Sequence, residues 1–265
     1  MNLLHGDCLE LMKTLPDKSV DLFLCDLPYG CLTGGAGKEK AKRGEGNVIG
    51  GCAWDIPIDL DQFWTQVKRL CRDDHTPVLM FCSTKFGYDL IKSNEDWFRY
   101  DLVWNKMRGV SFLQANKMPM RSHEMIYVFS KKGANYYRKD VDDPEKKAHF
   151  NEQTVDELPA HSSHAFRPGS KVIRTDMPEG KRCVVSVISM TSGKRPGQHP
   201  TQKPDDLYAF LIERYSKEGD TVLDPTAGSF TSVFAAHKLG RKAIGIEMNK
   251  EFYDKAVLTQ GGSPT

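Results

Sequence analysis

The sequence predicts an α/β protein built on a doubly wound, mostly parallel sheet, and three observations predict it. Apolar, strand-forming runs such as VDLFLC (20–25) and TPVLMFCS (76–83) read as strands buried on both faces, as in a parallel sheet. Segments of helical period alternate with strands over 1–94 and again over 204–259. The three segments that look most like chemistry, DLPY (26–29), DPTAGS (224–229) and Glu247, all fall at predicted strand ends, where such sheets bind ligands.

Each element has a local reason. The run 20–25 leads into Asp26, then Pro28 and Gly30, which stop a strand. Residues 31–53 hold seven glycines and six charges and read as a flexible loop, long enough to be either a functional lid or a disordered segment. Residues 60–72 place Phe63, Val67 and Leu70 at helical spacing behind Asp59 as a cap. A strand at 76–83, a short helix at 86–94 and strands at 97–106 and 123–133 follow. Residues 134–198 are polar, charged and turn-rich, with one strand at 183–189, and read as an inserted lobe. The helix at 204–219 sets Leu207, Phe210, Leu211 and Tyr215 on one face and stops at Gly219. A strand at 221–225, a helix at 229–240 ended by Gly240, a strand at 242–249 and a helix at 251–259 complete the chain.

Composition narrows the class. At 265 residues, 39% hydrophobic and 27% charged, the chain can bury a full core, which excludes a disordered or fibrous protein. No apolar run approaches the roughly 20 residues that span a bilayer. Asp7 and Glu10 interrupt the first apolar stretch, so no signal peptide is read. The seven cysteines are odd in number and none has CxxC spacing, which fits reduced thiols in a cytoplasm and predicts neither a disulfide framework nor a metal site. The net charge of +2 is uninformative, but His161–Lys203 carries eight basic residues (Arg167, Lys171, Arg174, Lys181, Arg182, Lys194, Arg195, Lys203) against two acidic ones. That stretch reads either as a surface facing a polyanion or as a solvated basic loop.

The segment TVLDPTAGSFTSV is a strand, a carboxylate, a small-residue turn and a helix. It lacks GxGxxG and a P-loop ending, and Asp224 would repel a pyrophosphate. Asp224 favours a cationic or donor-rich ligand, and Glu247 at the next strand end suits two ribose hydroxyls; both residues also read as helix caps. S-adenosylmethionine, with its sulfonium, ammonium and ribose hydroxyls, has that chemistry. In DLPY, Asp26 and the Leu27 carbonyl can accept both protons of an exocyclic amino group and free its lone pair. Pro28 fixes the backbone, and Tyr29 can stack on a flipped base. The same four residues also read as a strand end followed by a turn.

Together these segments resemble the DNA amino-methyltransferases, in the motif order of their beta class. The family's D-P-P-Y matches DLPY; its F-x-G-S-G-T loop matches TAGSFT (226–231); its T-Q-K-P stands unaltered at 201–204, after His199 and Pro200. The resemblance covers roughly 1–133 and 199–259. It implies a Rossmann-like class I methyltransferase fold with a seven-stranded sheet, and S-adenosylmethionine as methyl donor. It implies a catalytic half at 1–133 with a mobile loop at 31–53, an inserted target-recognition region at 134–198, and a cofactor half at 199–265. Asp26, Leu27, Pro28 and Tyr29 become catalytic. Asp7 and Cys8 would lie at the cofactor adenine, and Asp224, Thr226, Gly228, Ser229 and Thr231 at its methionine end. Glu247 would take the ribose, and His199, Thr201, Gln202 and Lys203 would close over the cofactor. Leu27 replaces the family's first proline, a change that leaves the carbonyl in place; Phe230 replaces the loop's second glycine and alters how its backbone meets a ligand.

Asp at the head of the tetrapeptide is typical of adenine methylation in this family, so the resemblance implies direct transfer to the 6-amino group of a flipped adenine in double-stranded DNA. Cytosine 4-amino methylation, adenine methylation of RNA and a non-catalytic DNA-binding protein are the rivals. The basic turns of 134–198 and Lys38, Lys40, Lys42 and Arg43 of the loop would hold phosphates. No membrane or metal partner is expected. A homodimer and a restriction endonuclease partner stay open, as does whether the cytoplasm is bacterial or that of a virus's host.

Overall fold

Four consecutive buried residues, Leu22–Cys25, form the strand β2, and five more, Val78–Cys82, form β3. The computed structural model describes residues 1–29, 57–110, 112–145, 149–153, 173–191 and 203–260. In chain order the remaining elements are β1 (Asn2–His5), α1 (Cys8–Thr14), α2 (Leu60–Leu70), α3 (Thr84–Ser93), β4 (Phe98–Val110), β5 (Arg121–Phe129), β6 (Val141–Asp142), β7 (His149–Gln153), β8 (Ile173–Met177), β9 (Lys181–Arg182), β10 (Val187–Ser189), α4 (Asp205–Tyr215), β11 (Thr221–Asp224), α5 (Thr231–Lys238), β12 (Lys242–Glu247) and α6 (Lys250–Thr259).

The main sheet runs β1-β12-β11-β2-β3-β5-β4-β10. Among its described strands β5 alone runs against its neighbours, because β4 and β5 follow one another without a crossover helix and must pair antiparallel. Alternate residues of the central strands point to opposite faces, and each face has its own core. Leu22, Leu24, Leu79 and Phe81 pack under α4 and α5 with Leu211 and Val233. Phe23, Cys25, Val78 and Met80 pack under α1, α2 and α3 with Met12, Phe63, Val67 and Leu90. The sheet is therefore doubly wound.

Several boundaries differ from the expectation. The sheet has eight strands, not seven. The eighth, β10, lies in the segment assigned to the insert, yet it pairs parallel with β4, buries Ile188, and is tied there by the Trp104 indole donating to the Met190 carbonyl at 3.0 Å. β1 and α1 have no period long enough to read. The helix at 204 stops at Tyr215, not Gly219, where Arg241 donates to the Ser216 carbonyl at 2.8 Å and the Lys217 N–H to Asp220 at 2.7 Å. Asp59 caps α2 as expected, accepting from the N–H groups of Asp61 and Gln62, both at 3.0 Å.

The chain divides into two compact units, Met1–Tyr137 with Ser186–Thr265, and Arg138–Val185. In the second, β6 pairs with β9 and β7 with β8, both antiparallel.

A candidate active site at the sheet's switch point

β11 and β2 are parallel neighbours, with Val222 opposite Leu22. From β2 the chain leaves through α2 to β3 on one side; from β11 it leaves through α5 to β12 on the other. This reversal opens a crevice at the strands' carboxyl ends. A cavity of about 780 Å³ lies there, lined by Asp26–Tyr29 after β2 and by Pro225–Ser229 after β11. Asp7, Cys8, Lys203, Thr231 and Glu247 also line it.

The wall after β11 and β12 is built on backbone donors. Glu247 accepts the Gly228 N–H at 2.8 Å and the Asn249 N–H at 2.7 Å. Each carboxylate oxygen keeps a lone pair for a further donor. Burial raises the Glu247 pKa, and the N–H bonds oppose it. Gly228 has φ +53°, a left-handed turn that brings the backbone to the cavity edge with nothing within 4 Å of the space a Cβ would fill. The Thr226 hydroxyl is buried on the same wall with no hydrogen-bond partner. Asp7 caps α1 by accepting the Glu10 N–H at 3.1 Å, leaving its second oxygen available. Cys8 is neutral, its thiol pushed up to about 12 chiefly by burial.

Asp224 corrects the expectation. It does not line the cavity but lies beneath it, 3% exposed, accepting the Thr226 N–H at 3.0 Å and the Ser232 hydroxyl. Burial lifts its pKa to about 7, with Asp26 and Glu247 adding to the rise and the two hydrogen bonds opposing it. Its work is to shape the turn. Phe230 adopts a left-handed conformation, φ 59°, and its ring is fully buried in the core beside Gly245 and Tyr253. The side chain thus leaves the cavity free.

The wall after β2 is built on charges. Asp26 accepts the Tyr29 hydroxyl at 2.8 Å and the Lys203 ammonium at 2.5 Å. Lys203 stands just before α4, 4% exposed, 3.5 Å from Glu124, whose other oxygen is held by Lys106. Burial would lower the Lys203 pKa, but Asp26 and Glu124 outweigh it and raise it; burial would raise Glu124, but Lys203 and Lys106 outweigh it and lower it. Asp26, Lys203, Glu124 and Lys106 thus stand in line as four groups of alternating sign. The Tyr29 ring is backed by Phe86, centroids 5.1 Å apart and 28° between planes, and lines the cavity. Leu27 and Pro28 line it too.

Sequence reasoning placed Lys203 over the cofactor; its ammonium contacts Asp26. Glu124, Lys106 and Phe86 were not anticipated. A lysine ending the strand predicted at 97–106 and a glutamate opening the one at 123–133 are visible in the sequence, but their antiparallel pairing is not. Of the expected phosphate-binding residues, Lys181 pairs with Asp142 at 2.6 Å, Arg182 with Asp143 at 3.2 Å, and Arg174 lies in β8. Lys38, Lys40, Lys42, Arg43, Arg167, Lys171, Lys194, Arg195, His199, Thr201 and Gln202 lie outside the described residues. Among the described residues no helix is long and apolar enough to cross a membrane, and no group of His, Cys, Asp or Glu is placed to hold a metal ion.

Known proteins resemble this chain. The type II methyltransferase M.HinfI of Haemophilus influenzae is 29% identical over 96% of the chain, which spans 66% of that protein's length. The DNA adenine methyltransferase YhdJ of Escherichia coli is 30% identical over 94% of the chain and 79% of its own length. The crystal structure of an M1.HpyAVI–SAM complex superposes with a TM-score of 0.57 at 19% identity, covering 98% of both chains, a likeness of fold. The DNA methylase family matches residues 20–258, a span that takes in the tetrapeptide, Lys203, the turn after β11 and Glu247, and the chain belongs to that family.

Proposed function

We propose that the chain is an S-adenosylmethionine-dependent DNA methyltransferase acting on the 6-amino group of an adenine turned out of the duplex. The observation that carries this reading is one cavity lined both by Asp26–Tyr29 and by the turn 225–229 with Glu247. The residues fit the donor. Glu247 offers lone pairs to the ribose hydroxyls, Asp7 an acceptor for the adenine amino group, and the unpartnered Thr226 hydroxyl and open Gly228 backbone a seat for the methionine end. S-adenosylmethionine supplies a methyl carried on a sulfonium, reactive toward a nitrogen lone pair.

The chain's own residues prepare that lone pair. An exocyclic amino group is a poor nucleophile because its lone pair is delocalised into the ring. Asp26 accepts one of its hydrogens and the Leu27 carbonyl the other, which draws the nitrogen toward a tetrahedral shape. Asp26 keeps lone pairs for this beyond those taken by Tyr29 and Lys203. Tyr29, braced by Phe86, stacks on the base. Lys203, fixed by Glu124, holds the Asp26 carboxylate at its place. The buried thiols Cys8 and Cys82, both near 12, are not nucleophiles, in keeping with direct transfer. Sequence reading falls to 134–198, whose basic stretch also supplies phosphate contacts.

Asp26 and the resemblance to YhdJ support adenine over cytosine. Mass spectrometry of nucleosides from DNA and RNA incubated with the protein and S-adenosylmethionine tests this. N6-methyladenine in DNA alone is expected; N4-methylcytosine, or methylation confined to RNA, contradicts it.

A further inference from the structure

The β4–β5 hairpin carries four exposed apolar side chains beside the cavity. Phe112 is 76% exposed, Leu113 96%, Met107 60% and Met118 54%. Single exposed apolar residues are ordinary, but a cluster of this kind marks a contact surface. The hairpin is built to present it. Met107 takes a left-handed turn, φ 59°, whose N–H the Asn105 side chain accepts at 3.1 Å, and Gly109 lets Met120 pack where a Cβ would stand 2.6 Å from Cε. Val110 and Arg121 face each other in register and both line the cavity, so the tip stands on the cavity's rim. Between Lys106 and His123 the sequence has three basic residues and no acidic one. Arg108, Lys117 and Arg121 are exposed.

We propose that this tip is a duplex-DNA contact: Phe112 and Leu113 press against the base stack beside the extruded nucleotide, and Arg108 and Lys117 hold the flanking phosphates. It rests on the functional reading above. Apolar side chains that enter a stack stabilise the opened step, and cations at its edges bind phosphate irrespective of sequence. A second copy of the chain suits the surface less, because a two-fold contact would set these arginines and lysines against their own equivalents.

The test uses the full chain. For Arg108→Gln/Lys117→Gln, the slope of log affinity against log salt for a fluorescein-labelled duplex of mixed sequence becomes shallower by about 1.8, two phosphates at about 0.9 each. Phe112→Ser/Leu113→Ser lowers methyl transfer to unmethylated phage DNA about tenfold or more, with S-adenosylmethionine affinity by calorimetry and thermal melting unchanged. A wild-type slope in the first variant, or wild-type transfer in the second, overturns the proposal. So does a dimer of the wild type that the second variant splits while duplex binding is unaffected, which would assign the surface to a second copy. If the wild type binds the duplex with the predicted slope change in the variant yet transfers no methyl, the functional reading fails and the duplex contact stands.

Discussion

On and beneath the wall formed after β11 and β12, Glu247 and Asp224 accept from main-chain N–H groups and a serine; on the wall formed by β2, β4 and β5, Asp26 and Glu124 face lysines. Backbone donors are fixed by the fold and do not titrate, so the first wall is a rigid seat for a ligand. A lysine ammonium holds a carboxylate chiefly by charge, so Lys203, itself fixed by Glu124, keeps Asp26 in place and leaves it lone pairs to spare. That suits an acceptor that must take up a new hydrogen bond when a base arrives. The burial penalty follows the same division. It raises Asp224 and Glu247, where hydrogen-bond dipoles are the main opposition, and is outweighed at Glu124, where two lysines oppose it.

Substitutions can break this contrast. The largest effect is expected at Phe230, whose fully buried ring anchors the turn of the rigid wall. Phe230→Ala should cost about 3–5 kcal/mol in chemical denaturation by emptying that site. Glu124→Gln should come next, at about 3 kcal/mol, because it leaves two lysines without their shared carboxylate. It should also lower kcat for methyl transfer several-fold while S-adenosylmethionine affinity holds, and Glu124→Asp should restore part of the rate. An unchanged kcat would remove Glu124 from the positioning of Asp26.

Asp224→Asn sharpens the contrast through pH. The folded carboxyl titrates at about 7 against 3.8 for the free side chain, so folding favours its protonated form. Its contribution to stability is full below about 4 and falls as pH rises to about 7. Asparagine keeps an acceptor for the Thr226 N–H and offers a donor to Ser232, so the variant should lose this fall. Denaturation midpoints across the window measure it; an unaltered pH profile would contradict the assignment. The smallest effect is at Gly228, where alanine has room but must adopt φ +53°. Gly228→Ala should cost about 1 kcal/mol in thermal unfolding.

Much of this was legible in the sequence, and the reasons are local. β2, β3 and β11 are buried on both faces, so their apolar runs announce them, and a carboxylate ending such a run is visible as chemistry. β1 was not legible: it is an edge strand of four residues with partial exposure and no clear alternation. Asp224 misled because spacing shows that a carboxylate ends a strand, not whether it points into the crevice or under the turn. Lys203 meets Asp26 across 177 residues of separation and Glu124 across 79, and no local pattern encodes which side chains a sheet brings together over such distances. Likewise, a lysine beside a threonine and a glutamine reads as part of a ligand loop until the fold shows it to be buried against a carboxylate.

The central claim is that the two walls do separable work in one cavity. Calorimetric titration of S-adenosylmethionine into the wild type, Asp26→Ala and Glu247→Ala, each assayed in parallel for methyl transfer to unmethylated DNA, tests it directly. Asp26→Ala should bind the donor as the wild type does and transfer about 10²–10⁴-fold more slowly, while Glu247→Ala should lose donor affinity about tenfold or more. Wild-type transfer by Asp26→Ala, or no heat of binding from the wild type, would contradict the account.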